Sequence, residues 1–299
     1  MLTHNCATPT KPPRVVIVGG GFVSGAIEAV LNARGITNRV IRRADVDLGD
    51  VGAGAALGAI IEESDTLVAA AAIAPCKDLT MLQENLRLIE TLATAIQTSK
   101  PRHVVNISSD AIYSDSPEPL NELSCTGPGS LHGIMHLTRE TVLGEAAGDT
   151  PFATLRPTLI YGVDDPHNGY GPNRFRRLAN AGEEIALFGE GEERRDHVHV
   201  GDVAELAVRM IEHRSAGALN AATGTVISFR EAAGKVVELA GATVSVRGTP
   251  RSGPMPHNGY RPFDPAATRA AFADFDYLQP ADGFALVQQQ LTGNTDGRG

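Results

Sequence analysis

The sequence predicts an α/β protein, a doubly wound parallel sheet with a smaller carboxy-terminal lobe, and three observations predict it. The apolar run Val15–Val18 passes through Gly19, Gly20 and Gly21 into a segment whose Val23, Ile27, Val30 and Leu31 lie roughly on one helical face. From there to Ile107, short apolar runs alternate with helically spaced segments, the order that builds βαβ units. A chain of 299 residues, 42% of them apolar, can bury one large core or two unequal ones.

Residues 1–13 are rich in Pro and Thr, offer nothing to bury and are expected to be mobile. The dinucleotide-binding domain then spans 14–162. Gly19 and Gly21 allow a tight turn and the close approach of a pyrophosphate to a helix amino terminus, where free N–H groups and the dipole favour anions. Small Ser24 stands at the third position of the G-x-G-x-x-G pattern, and the alternative reading is a plain tight turn. The next strand, NRVIRR, ends in Arg42 and Arg43, where an acidic residue would accept hydrogen bonds from the ribose of NAD. Guanidinium groups suit a 2′-phosphate instead, so NADP is favoured over NAD unless both arginines are solvated surface charges.

An acidic loop with Asp45, Asp47 and Asp50 precedes DTLVAAAAIAP, a strand of small residues suited to the sheet centre. Leu79, Leu82, Leu86, Ile89, Leu92, Ala93 and Ile96 recur at helical intervals and form a broad apolar stripe. HVVNISS is the next strand, ending at Ser108, Ser109 and Asp110. A helix from Leu131 places His132, His136 and Glu140 on one face. After the strand in TPFATLRPTLIYG, a polar stretch carries His167, Asn168, Tyr170, Asn173 and Arg174 into the substrate lobe. That lobe is assigned 163–193 and 223–291, with 194–222 returning to the first domain and 292–299 a flexible tail.

A net charge of -9 argues against a general nucleic-acid surface, although clusters such as Arg174, Arg176 and Arg177 suit one anionic ligand. No apolar run reaches the roughly 18 to 20 residues of a membrane span, and no signal-peptide core precedes Arg14. Cys6, Cys76 and Cys125 are odd in number and lack metal-type spacing, which suits a reducing, cytoplasmic setting.

The glycine turn, SSDAIYS, LHGIMHLTRE, LRPTLIYG, GPNRF, LFGEGEERRDHVHVGDVA and LNAATG follow in order the extended short-chain dehydrogenase/reductases. From Arg14 to about Leu291 the chain most resembles their NAD-dependent epimerase/dehydratase branch, which acts largely on nucleotide sugars. The resemblance implies a Rossmann-type sheet and a small-molecule substrate, with the helices around Leu79–Thr98 and Leu131–Ala147 pairing across a homodimer. It implies a cofactor set of Gly19, Gly21, Phe22, Val23, Arg42, Arg43, Asp47, Leu48, Ala71, His136 and Pro157, with Arg156 and Tyr161 also near the nicotinamide. Substrate contacts would come from Ser109, Asn173, Arg174, Arg195 and Arg261, with Arg195 on a phosphate and Asp196, His199 and Asp202 structural.

Ser109 stands where the family places a catalytic hydroxyl, and Asp110 where its dehydratases carry an acid. Ala111 replaces the Glu those dehydratases carry next, so their elimination machinery is incomplete here. The family's Y-x-x-x-K pair is replaced by His132 and His136. Histidine ionises near working pH without help, so His132 suits acid or base catalysis and a neutral His136 suits a ribose hydroxyl. Two alternatives stay open at the pair: a degenerate site on a binding protein, and metal binding through His132, His136 and Glu140.

Overall fold

The computed structural model describes residues 1–166 and 168–295. Its strands are β1 (Thr3–His4), β2 (Val15–Val18), β3 (Asn38–Ile41), β4 (Thr66–Ala69), β5 (His103–Ile107), β6 (Phe152–Pro157), β7 (Leu159–Tyr161), β8 (Ile185–Phe188), β9 (Arg194–His199), β10 (Ser215–Ala221), β11 (Val226–Ser228), β12 (Val246–Thr249) and β13 (Tyr260–Arg261). Its helices are α1 (Phe22–Ala33), α2 (Ala53–Gly58), α3 (Leu79–Ser99), α4 (Leu131–Ala147), α5 (Pro172–Ala181), α6 (Val200–Glu212), α7 (Phe229–Ala240), α8 (Ala266–Ala271) and α9 (Pro280–Thr295).

Among the described residues the central sheet has seven strands in the order β1-β10-β6-β5-β4-β2-β3. All neighbours are parallel except β1, which runs antiparallel to β10. The chain goes outward from β2 to β3 and then returns to β4 on the other side, so the strand order reverses beside β2. In open α/β sheets the crevice at the carboxyl ends of such neighbours is where ligands bind.

Strand alternation builds two core layers from one run of valines. Val15 and Ile17 meet Ile27 and Leu31 of α1 and the apolar face of α6, whereas Val16 and Val18 face Ile89, Leu92 and Ile96 of α3 and Leu143 of α4. A third core, with Phe175, Ile185, Leu187, Phe229, Val236 and Phe284, belongs to the smaller lobe. Of the stretch assigned to return to the first domain, β10 joins the central sheet, while β9 builds a separate sheet with β7, β11 and β13.

The amino-terminal segment corrects the expectation of a mobile tail. Thr3 and His4 pair with Ala216 and Ser215, and the His4 ring lies 2.9 Å from Ser215 Oγ and 3.1 Å from the Ala271 carbonyl. Backbone pairing at a sheet edge requires no apolar side chain, which is why composition missed it. The expected carboxy-terminal tail begins inside α9, and its last four residues, 296–299, lie outside the described residues, as does His167.

Candidate active site

The β2–α1 turn comes first, because its shape follows from one glycine. Gly19 has φ 118°, and a Cβ there would lie 2.8 Å from the Ala71 nitrogen at the end of β4, so only glycine lets the turn approach this closely. A Cβ on Gly21 would meet nothing within 4 Å, so space opens directly over the start of α1. Gly21 caps that helix with no side-chain hydrogen bond, leaving the first-turn N–H groups to a ligand or water. Ser24, at the third motif position, is buried under the turn.

Two connected cavities meet at this turn. One, of about 490 Å³, is lined by Gly19, Gly21, Arg42, Arg43, Asp47, Leu48 and Ala71. The other, of about 840 Å³, is lined by Gly21, Phe22, Val23, Ser109, Asp110, His132, His136, Pro157, Asn173 and Arg195. Together they are lined by the whole cofactor set that the resemblance implies, from Gly19 to Pro157, but not by Arg156 or Tyr161. Arg43 donates to Asp47 at 2.8 Å, and Arg42 lies 3.5 Å from Glu28.

Ser109 ends the β5 run and caps the short turn Asp110–Ile112: its Oγ accepts from Ala111 N at 3.2 Å and lies 3.4 Å from Asp110 Oδ1. The start of α4 is pressed against that turn. A Cβ on Gly133 would overlap the Ala111 carbonyl, so this glycine lets helix and strand end close together and brings His132 into the cleft with Ser109. Ser130 caps α4, accepting from Gly133 N at 3.1 Å.

The His132 and His136 rings stand edge to face with centroids 4.7 Å apart. Burial pushes the His132 pKa down, partly offset by Asp110. The Cys76 N–H points at its Nδ1 at 3.4 Å, which favours the neutral ring with its hydrogen on Nε2. His136 is 5% exposed and is held well below its ordinary value by burial, then by His132 and Arg139. Its Nδ1 is buried with no hydrogen-bond partner among the described residues. A buried orphan nitrogen is costly unless a ligand supplies the partner.

Arg139, one turn further along α4, was missed in the sequence. Fully buried, it donates from Nε to Asn106 at 2.7 Å and from its terminal nitrogens to the carbonyls of Ala69 and Ala71. It thereby fixes α4 to the β4 end, and burial lowers its pKa to about 10. Its place three residues after His136 was the available signal.

Several expected contacts are corrected. Glu140, the third residue of the metal alternative, is paired instead: Arg156 donates to both its oxygens at 3.0 and 2.7 Å, and Ser108 donates to Oε1. Among the described residues no group of three His, Cys, Asp or Glu side chains is placed to hold a metal. Arg156 is thus held by Glu140 and by Tyr113, 2.8 Å away. Tyr161 lies in the smaller lobe's core against Phe284.

Arg174 is exposed on α5, whose buried face carries Asn173, Phe175 and Arg176. Asn173 faces the cleft and donates to Asp165 at 2.7 Å. Arg261 is 1% exposed and donates to Asp110 Oδ2 at 3.0 Å and Asp115 Oδ1 at 2.9 Å. Arg195 lines the cleft but lies 3.3 Å from Glu193 and 3.9 Å from Asp110. Asp110 is therefore the anchor of two arginines, a role its neighbours in sequence do not announce. Asp196 accepts from Thr158, Thr223 and Gly224, His199 caps α6, and Asp202 accepts from Leu278 N, its pKa raised by burial to about 7.

A doubly wound sheet whose reversal point opens on a glycine turn and two adjoining cavities is a dinucleotide-binding fold. The chain belongs to the NAD-dependent epimerase/dehydratase family, whose model matches residues 15–222. It is 30% identical over 267 residues to a putative GDP-L-fucose synthase 2 of Oryza sativa subsp. japonica, covering 77% of this chain and 74% of the relative. It is also 28% identical to a dTDP-4-dehydro-6-deoxy-D-allose reductase of a Streptomyces species, over 56% of this chain and 55% of that one.

Among solved structures, UDP-glucose 4-epimerase of Thermus thermophilus, in complex with NAD, superposes with a TM-score of 0.79 at 24% identity, covering 94% of this chain and 99% of that one. A GDP-L-fucose synthetase of Naegleria fowleri bound to NADP gives 0.75 at 15%, covering 97% of each. These likenesses extend the shared fold to nearly the whole chain.

Proposed function

We propose that the protein is an NAD(P)-dependent enzyme that oxidises or reduces an oxygen-bearing carbon, with His132, at the position that Tyr fills in the family, as the hydrogen-bond donor to the reacting oxygen. The observation that carries this reading is the single cleft in which the α1 turn, Ser109, His132 and His136 meet. The cofactor fits the residues present: Gly19 and Gly21 leave its pyrophosphate room over α1, and the orphan Nδ1 of His136 suits a ribose hydroxyl. When bound, it supplies hydride exchange. Arg42 and Arg43 favour NADP, since either can turn from its acidic partner to a 2′-phosphate.

Ser109 orients the reacting oxygen by hydrogen bonding. His132 stays neutral because it is partly buried and sits in the first turn of α4, whose positive end disfavours a cation. Its Nε2–H then donates to the oxygen that gains negative charge as a carbonyl is reduced, and solvent supplies the proton that completes turnover. The named substrates of the relatives make nucleotide-linked sugars one substrate class; a smaller hydroxyl or carbonyl compound is the other.

Exposed Leu79 and Leu86 on α3, with Ile134 and Val142 on α4, support a homodimer through these helices. The free thiols of Cys6, Cys76 and Cys125 suit a reducing, cytoplasmic setting. The test is a panel of sugars, nucleotide sugars and small carbonyl compounds followed at the nicotinamide absorbance. On whichever compound turns over, His132→Phe is expected to lose about 10²- to 10⁴-fold in rate. Full turnover by His132→Phe on that compound would end the proposal.

A further inference from the structure

Arg139 is a buried cation whose partners are all neutral. Its side chain makes three hydrogen bonds, to Asn106 Oδ1 and to the carbonyls of Ala69 and Ala71, while the residue is only 1% exposed. Among the described residues no carboxylate lies within ion-pair distance of it. Glu140, next in the chain, spends both oxygens on Arg156. Burial lowers the Arg139 pKa only to about 10, so the guanidinium keeps its charge at pH 7. A buried ion is costly unless an opposite charge pairs it.

Its place in the fold supplies a reason for the charge. The two cavities meet at Gly21, Ala70 and Ala72, which line both, and Arg139 holds the carbonyls on either side of Ala70. Ala71 is itself cavity wall and packs against the Gly19 turn, where a Cβ would lie 2.8 Å from its nitrogen. An anion at the junction is therefore close to both the amino terminus of α1 and the guanidinium. His136, at the family's Lys position, lines the same cleft but stays neutral, so no lysine charge reaches the junction from there. In a chain of net charge -9, a local cation is what draws an anion inward.

We propose that Arg139 is the fixed counter-charge for the diphosphate of a dinucleotide at this junction, supplying from one turn further along α4 the positive charge that His136 does not. It touches no ligand and acts through the buried wall, where charges are screened weakly. The inference rests on the reading of the joined cavities as the cofactor site. Asn106 gives a way to test charge apart from shape. Its Oδ1 accepts from Arg139 Nε at 2.7 Å, and its Nδ2 is buried with no partner among the described residues. Asn106→Asp therefore sets a carboxylate beside the cation at constant shape and removes no hydrogen bond.

The test is calorimetric titration of NADPH, ADP and adenosine into wild type, Asn106→Asp, Arg139→Met and Arg139→Lys, with circular dichroism showing which variants fold. Wild type is expected to bind ADP at least about tenfold tighter than adenosine. Asn106→Asp neutralises the cation and Arg139→Met removes it, so either is expected to weaken ADP and NADPH about tenfold and to leave adenosine within about twofold. Arg139→Lys keeps the charge and is expected to keep the ratio of ADP to adenosine affinity. A merely structural role for Arg139 would weaken adenosine alongside ADP in Arg139→Met and leave both unchanged in Asn106→Asp. Either of those results overturns the proposal, as does wild type that binds ADP no tighter than adenosine. Wild type that binds none of the three ligands overturns the cofactor reading itself, and this proposal with it.

Discussion

Substituting Glu140 by Gln keeps the side chain's shape and removes its charge, which isolates what the carboxylate does. In the folded protein the Glu140 and Arg156 side chains are each 10% exposed and joined by two hydrogen bonds. Burial works against the Arg156 charge, but Glu140 and Tyr113 more than offset it and raise its pKa. With Gln at 140, the guanidinium remains buried with only neutral partners. Breaking a buried pair on one side costs about 3 to 5 kcal/mol. For a chain of this size each kcal/mol moves the melting temperature about 2 °C, so a drop of roughly 6 to 10 °C is expected. Circular dichroism melts of Glu140→Gln, Arg156→Met and the double variant measure it, and the double variant is expected to recover part of the loss because no charge is left unpaired. A chelator is expected to change none of these melts. If Glu140→Gln melted within about 1 °C of wild type, the assignment of Glu140 to Arg156 would be refuted.

Further predictions concern the cofactor cavities and acid stability. His136→Ala is expected to weaken NADPH binding about tenfold, the worth of one buried hydrogen bond; cofactor fluorescence reads it cleanly because the chain has no Trp, and an unchanged Kd would contradict the ribose contact. Arg43→Glu is expected to narrow the preference for NADPH over NADH by about tenfold without moving the melt, since the side chain is 87% exposed; an unchanged ratio removes Arg43 from the 2′-phosphate site. His103 and His197 are depressed by burial, to about 4 and about 3, from an ordinary 6.5. Below that ordinary value the unfolded chain binds protons the native state refuses, so stability falls from pH 6.5 down toward 4. His103→Gln should flatten the slope of the melting temperature between pH 6.5 and about 5, where carboxylates stay mostly ionised, and an unaltered slope would contradict the burial account.

The sheet was legible because its signals are local. Val15–Val18 and the stripe from Leu79 to Ile96 state their partners by period, and burial on two faces left little choice of layer. The cleft was legible where a strand end meets a helix start, as with Ser109, Asp110, His132 and His136, and the residues assigned to the cofactor by family position line the same two cavities. The carboxylate partners of the arginines were not legible because they can be remote in sequence: Arg261 meets Asp110 from 151 residues away. His197 and His257 are unremarkable in the sequence, since their neighbours, the Arg195 carbonyl for one and Asp115 with Arg261 for the other, are set only by the fold.

The central claim is that the two joined cavities hold a dinucleotide. Acid extraction of freshly purified protein, with mass spectrometry for NAD(H) and NADP(H), followed by NADPH titration of any protein that retains neither, tests it most directly. Retained dinucleotide, or saturable NADPH binding that falls in His136→Ala, is the predicted result. Protein that carries no dinucleotide and binds neither NADPH nor NADH would contradict the account.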